Sequence, residues 1–341
     1  MLGWVFGYTK SMRSHLFVAF FILALMPQAA LAQSLGSVAE GTPFTVSVRP
    51  QYPTPYGQAT ISLLSNSLDL ANAVLTVSLS GKEIYKGAVQ PVAIPLGKAG
   101  SVANVKVAVS SGGVPYSQSV FIQPQDVVLI AEPISSAPPL YLGKPLVPIA
   151  GSVRVVAMAN LRDARGKTID PATLSYAWTV DTTQLANFSG IGKQALMVAS
   201  PLQYRARSVS VAVTSQNGSL GGGASLSLTS KDPSVRIYQN DPLLGIRFDR
   251  AISESYAIAG AEATLYAAPF SFPTTSGAPL LQWFLNGAPA QTGNAVTLRS
   301  AGSGEGSASL SLVASAGNST TATASLSLSF GAAKNFNLFG L

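Results

Sequence analysis

Fourteen acidic side chains, a single histidine and no cysteine are the chemical equipment of this 341-residue chain. Without cysteine there is no disulfide staple, no thiolate nucleophile and no sulfur-based zinc site. The one histidine, His15, falls inside an apolar N-terminal stretch. The rest of the chain therefore lacks the commonest general base and the commonest transition-metal ligand together. What remains is carboxylate chemistry. Two acids facing each other across a cleft could cleave a glycosidic bond, and several converging oxygens could hold Ca²⁺. The densest acidic stretch runs from Lys231 to Glu254, where Asp232, Asp241, Asp249 and Glu254 alternate with Arg236, Arg247 and Arg250. Calcium loops bring carboxylates within a few residues of one another, whereas these four are 9, 8 and 5 residues apart. They are weak calcium candidates, and ion pairs between neighbouring domains are the expected reading. No catalytic residue, no metal and no cofactor is expected, and the chain reads as a non-enzyme.

Two smaller patterns stand outside that stretch. Val180-Asp181-Thr182-Thr183 resembles the Asp-Thr-Gly loop of aspartic proteases, but Thr183 stands where glycine is needed and no second copy exists to share the proton. Asp181 is expected to be a turn residue. Tyr52, Tyr56, Phe270 and Phe272 lie in or near proline-bearing loops, where aromatic rings either stack on sugars or act as packing lids. The lid is the expectation, with glycan binding as the alternative. The charge of +7 is spread out, and only Arg162, Arg165 and Lys167 bunch. A nucleic-acid surface would show a basic stripe with interleaved aromatics. No such partner is expected.

The elements that must position these residues are short strands. Leu281-Gln-Trp283-Phe-Leu-Asn286-Gly287 reads as a core strand entering a tight turn. A second copy stands at Tyr176-Ala-Trp178-Thr-Val-Asp181, and a degenerate third at Leu75 to Gly81, with Val77 at the tryptophan position. From Val77, Trp178 and Trp283 to the start of the next alternating strand takes 28, 31 and 27 residues. Each unit then closes with a Gly/Ser-turned hairpin. Period-two alternation with a recurring spacing predicts tandem half-buried sheets. The low charge content, 10%, and the abundance of small and β-branched residues favour strands over helices.

The expected organisation is a module from 36 to 125, a second from 126 to 230, a third from 235 to 330, and an apolar tail from 331 to 341. Tyr176, Trp178 and Trp283 are the expected structural core. The segment from Tyr238 to Phe248 fits no simple alternation, and is expected to pack between the second and third modules or to bind a partner. The tail carries Phe336, Leu338, Phe339 and Leu341, which could add a strand to a partner's sheet edge.

Tyr176-x-Trp178 with Asp181, and Leu281-x-Trp283 with Asn286-Gly287, resemble the immunoglobulin-like sandwiches of bacterial surface proteins, particularly the PKD-like kind. The resemblance implies an all-β fold of three tandem immunoglobulin-like antiparallel sandwiches, with the tryptophan packed between the sheets. It also implies display, spacing and adhesion as the function, with other envelope or surface proteins, or glycans, as partners. No catalytic residues come with it.

Residues 1–32 read as a secretory signal helix: Lys10 and Arg13, then eleven apolar residues from Leu16 to Met26, Pro27, and Ala30-Leu31-Ala32 before Gln33. Cleavage there would take two positive charges and leave the +7 chain at +5. If uncleaved, residues 16–32 would anchor the chain, being about as long as the shortest spanning helices. The expected destination is extracytoplasmic: the medium, the cell surface or the periplasm. The expected function is structural or adhesive, with an envelope-assembly component acting through the tail, or a carbohydrate-binding protein, as alternatives.

Overall fold

A computed structural model of the chain describes residues 43–139, 141–299, 305–317 and 320–331. The expected signal segment, the tail residues Phe336, Leu338, Phe339 and Leu341, and His15 lie outside the described residues. The described chain is all-β, three sandwiches in tandem, each with its own core. Its two helical pieces are single 3-10 turns. Among the described residues no helix is long and apolar enough to cross a membrane.

The first sandwich comprises β1 (Thr45–Arg49), β2 (Gln58–Leu64), β3 (Val74–Leu79), β4 (Lys82–Ala88), β5 (Val92–Pro95), β6 (Ala103–Ser111) and β7 (Val114–Ile122). A sheet in the order β1-β2-β5 faces one in the order β4-β3-β6-β7. The β6–β7 hairpin turns on Gly112-Gly113, both at positive φ, between the paired residues Ser111 and Val114. Two positive-φ residues make the mirror-image turn whose twist suits paired strands.

The second sandwich comprises β8 (Asp126–Pro133), β9 (Ser152–Asn160), β10 (Ser175–Val180), β11 (Thr183–Gln184), β12 (Gly190–Ile191), β13 (Ala195–Ala199), β14 (Ala206–Thr214) and β15 (Gly221–Thr229). Here β13-β9-β8 faces β11-β10-β14-β15. The third comprises β16 (Ser234–Asp241), β17 (Gly245–Ile252), β18 (Glu254–Ile258), β19 (Glu262–Phe270), β20 (Leu280–Leu285), β21 (Ala288–Thr292), β22 (Ala295–Arg299), β23 (Gly306–Ala316) and β24 (Thr320–Phe330). Its sheets run β17-β16-β19-β22 and β18-β24-β23-β20-β21. Within the second sheet β18 pairs parallel to β24.

One plan recurs. The strand with the tryptophan position (β3, β10, β20) pairs antiparallel with the strand that opens the closing hairpin (β6, β14, β23). The register is the same each time: Val77 opposite Val107, Trp178 opposite Val211, Trp283 opposite Leu312. This is the immunoglobulin-like arrangement, with the central strand's large residue driven between the sheets. Tyr176, Trp178 and Trp283 are fully buried. Each indole N–H donates to a backbone carbonyl, Trp178 to Lys193 at 2.8 Å and Trp283 to Gly293 at 2.9 Å. A buried donor thus keeps a partner in a setting where losing it would be costly. In the first sandwich Val77 is too small for this role. Its core is filled instead by Phe44, Ile61, Leu75, Ile94 and Ile122, all nearly or wholly buried.

The turn after each central strand is also repeated. Ser80, Asp181 and Asn286 have positive φ, and the backbone N–H of each donates 2.8 Å to the carbonyl of Asn104, Ser208 and Ser309 respectively. The Asp181 and Asn286 side chains accept in return from the N–H of Ser208 and Ser309, at 3.0 and 2.8 Å. Asp181 is therefore a turn clamp, additionally paired with Arg207 at 3.4 Å.

Candidate binding clefts at the module junctions

The residues of greatest functional interest gather where one sandwich meets the next. At the second junction, the proline-punctuated chain between β8 and β9 runs alongside the segment that follows β19. Ser136 N–H donates to the Phe272 carbonyl at 2.8 Å, Ser271 N–H to the Ser136 carbonyl at 3.1 Å, and Phe272 N–H to Ser136 Oγ at 3.1 Å. Ser271, almost fully buried and at positive φ, donates its hydroxyl to the Lys231 carbonyl at 3.0 Å. Phe272 plunges into the third core. Both buried serines are thus satisfied, as buried polar groups must be, and the second and third sandwiches are joined by main-chain bonds far apart in sequence.

Beside this seam lies a cleft of about 580 Å³. Pro138, Tyr141 and Leu142 of the second module form one wall, and Arg236, Tyr238, Phe248 and Phe270 of the third form the other. Its rings are locked edge to face: Tyr141 on Phe270 with centroids 5.6 Å apart, Phe248 on Tyr238 at 5.3 Å and on Tyr266 at 6.0 Å. Arg236 stands 5.8 Å over the Phe270 ring, a cation on the negative face of an aromatic. Leu142 is completely exposed at the rim.

The segment Tyr238 to Phe248 is therefore a hairpin, β16 into β17. Ile237 enters the core, and its neighbour Tyr238, on the other face of β16, is also buried, under Phe248. Cover on both faces of β16 hides the alternation in the sequence, and a bulge between Tyr238 and Asn240 shifts the pairing with β17. Only the half nearest the second module lines the junction. The hairpin tip, Leu243 and Leu244, is exposed.

The four weak calcium candidates are not brought together. Asp232 accepts from Gln203 Nε2 at 2.9 Å, Asp241 caps the N–H groups of Leu243 and Leu244, Asp249 pairs with Arg247 at 3.0 Å, and Glu254 opens β18 at positive φ. The N–H bonds from Leu244 and Leu243 hold the Asp241 carboxyl below its usual range, and Arg247 does the same for Asp249. Among the described residues no group of three metal-ligating side chains forms. The expectation of ion pairs between domains is corrected. The four ion pairs of the described residues, including Arg154–Glu132 and Arg299–Glu262, each lie within one sandwich. Hydrogen bonds and close packing join the modules instead.

The first junction uses the same means. Gln125, 4% exposed, forms a two-way amide bridge: its Oε1 accepts from Arg162 N–H at 2.7 Å and its Nε2 donates to the Arg162 carbonyl at 2.9 Å. Gly100 N–H donates to Pro124 at 2.9 Å, and Gln123 Nε2 donates to the Gly100 carbonyl at 3.0 Å. Gly100 has φ +81 and lies so close to the second module that a Cβ would meet the Asp163 oxygen at 2.7 Å. Tyr52 packs its ring on Gly223 of β15, where a Cβ would meet the ring at 2.4 Å. Burial accordingly pushes the Tyr52 phenol upward in pKa. Nothing in the sequence marked Gln125, Gly100 or Gly223, because each matters only through a residue of the other module.

The four loop aromatics separate into two kinds. Tyr52 and Phe272 are packing lids, whereas Phe270 lines the second-junction cleft. Tyr56 projects from the first junction, 79% exposed, beside a second cleft of about 670 Å³.

A scan against protein-family models finds no match, and a search of curated proteins finds none. Solved structures similar to this chain include the three N-terminal domains of the bacteriophage RB49 highly immunogenic outer capsid protein, at 14% identity, covering 84% of this chain and 98% of that one, with a TM-score of 0.23. The central fibronectin-III array of RIM-binding protein is similar at 9% identity, over 86% of this chain and 98% of that one, TM-score 0.27. The N-terminal four immunoglobulin domains of Dscam1 are similar at 13% identity, over 84% of this chain and 73% of that one, TM-score 0.22. Scores this low carry no inference, so the fold rests on the strand pairing itself.

Proposed function

We propose that this chain is a non-enzymatic structural and adhesive protein of the bacterial envelope, secreted or anchored by residues 16–32, that presents tandem sandwiches to the outside. The observation that carries this reading is the second junction. Main-chain bonds from Ser136 to Phe272 and from Ser271 to Ser136 fix one sandwich on the next, and the same seam builds a cleft lined by exposed apolar and aromatic groups. A spacer needs stiff joints, and an adhesin needs a few rigid aromatic anchors around which water is excluded. Both needs converge at one place. The signal-like N-terminus supplies the route across the membrane, and the PKD-like pattern of the tryptophan strands fits proteins of that location.

The test is adhesion. Beads coated with residues 33–341 should bind envelope material from the native cells. Leu142→Asp should abolish that binding with the melting temperature unchanged, since Leu142 is fully exposed. Binding unaffected by Leu142→Asp and by Tyr141→Ala would overturn the assignment to this cleft. Failure to adhere, with the chain found in the cytosol of the native cells, would overturn the function.

A further inference from the structure

We propose that the cleft between the first and second sandwiches is a binding site for acidic saccharides, a function beyond the apolar adhesion assigned to the second junction. It is lined by Thr54, Tyr56 and Lys98 from the first module and by Asp126, Arg162 and Arg165 from the second. Three cations thus face one carboxylate. None of the three takes part in an ion pair among the described residues. The neighbouring acid, Asp163, spends Oδ1 on the N–H groups of Arg165 and Lys167, at 3.0 and 2.8 Å. Arg162 is tethered, donating through Nη1 to the Gly166 carbonyl at 3.2 Å. Lys98 and Arg165 are left to attract an anion, with Arg165 suited to a carboxylate or sulfate through its planar fork.

Tyr56 decides what kind of anion. It holds φ +57, an uncommon backbone conformation for a bulky residue, and still exposes 79% of its surface. The conformation is enforced by Tyr56 N–H bonding to the Gly97 carbonyl at 2.9 Å and Leu96 N–H to the Gly57 carbonyl at 3.0 Å. An exposed aromatic kept in a strained turn at the mouth of a cleft points to a contact surface rather than to packing. The negative face of its ring suits the weakly positive C–H face of a sugar. Asp126 adds an acceptor for the hydroxyl groups of a sugar, which a bare inorganic anion does not offer. Ring face, hydroxyl acceptor and cations together describe a sugar that carries acid groups.

The groups come from both sandwiches, held in place by the Gln125–Arg162 bridge and the close approach at Gly100. The site is preorganised, which limits the ordering cost of binding.

Calorimetric titration of residues 33–341 with a panel of uronate, sialate and phosphosugar oligosaccharides, their neutral methyl esters where these exist, and inorganic phosphate tests the assignment. At least one acidic oligosaccharide should bind, its neutral ester should not, and raising the salt should weaken the binding. Arg165→Gln and Tyr56→Gly should each weaken it about tenfold or more. Tyr56→Gly should leave the melting temperature unchanged or higher, because glycine relieves the positive φ. Arg165→Gln should leave the bead adhesion of the second junction intact, so the two assignments fail separately. The proposal is overturned if no acidic saccharide binds, if the neutral ester or phosphate binds as well, or if Tyr56→Gly changes nothing. Binding of phosphopeptides in place of sugars would overturn it equally.

Discussion

Trp283 and Trp178 show how much one residue type can specify. Each is fully buried and each returns its indole N–H to a carbonyl on the strand-to-strand connection that follows, so a single side chain fixes both sheet spacing and loop path. Trp283→Ala should destabilise the third sandwich by about 3–5 kcal/mol; a loss under about 1 kcal/mol in a denaturant titration would remove Trp283 from the core role. The ionisable residues give a second expectation. Burial raises the pKa of Tyr52, Tyr176 and Tyr256 in the folded chain. A raised folded pKa means that its stabilisation is fully present below the unfolded value of about 10 and is lost as pH rises through the folded one. Asp69, Asp241 and Asp249 shift the other way, chiefly through the Asn72 side chain, the Leu244 N–H and Arg247 respectively. Their stabilisation is present above about pH 4 and fades as pH falls through their folded values. Residues 33–341 contain no histidine. Their melting temperature should therefore be flat from about pH 5 to 8 and fall at both ends, with alkaline loss beginning near pH 10. A mid-range step would contradict this. At this scale the sequence was most readable where residue type alone forces a role: tryptophan in a core, and aspartate or asparagine at a positive-φ turn. Gln125 was not readable, since an amide becomes a bridge only when a partner backbone arrives from elsewhere.

Strands were legible wherever one face is wet and one dry. Alternation in β6, β14 and β23 gave the recurring hairpins, and the spacing gave the repeat. The β16–β17 hairpin escaped because β16 is covered on both faces, Ile237 in the core and Tyr238 under Phe248. The parallel pairing of β18 with β24 escaped because its partners are some seventy residues apart, with register from Glu254–Leu326 to Ile258–Phe330. The junction elements carry their own expectations. Gly100→Ala places a Cβ against backbone oxygens at 2.7 and 2.9 Å with φ +81, and should cost about 1–3 kcal/mol; an unchanged denaturation midpoint would mean that the first junction is looser than described. Chelation makes a contrasting case. Because Asp232, Asp241, Asp249 and Glu254 are separately engaged or placed, EDTA should leave the melting temperature unmoved, whereas a drop of several degrees restored by Ca²⁺ would contradict that arrangement.

At the scale of the whole molecule, neighbouring sandwiches are held by specific bonds rather than strung on a flexible linker. Hydrogen-bonded serines, a buried glutamine and close glycine contacts do this work where surface ion pairs would contribute little. Composition made the broad class legible, but the clefts were not, because each is assembled from loops of two modules that are distant in the sequence. The absence of cysteine from the chain makes the rigidity of the second junction easy to test, since two introduced cysteines will be the only labelled sites. Met197 in β13 and Gln291 in β21 are both exposed, one on each side of the second junction. Spin labels on Met197→Cys and Gln291→Cys, measured by pulsed dipolar spectroscopy, should give one narrow distance distribution in residues 33–341. A broad or multi-peaked distribution would show instead that the second and third sandwiches move independently, with no fixed seam between them.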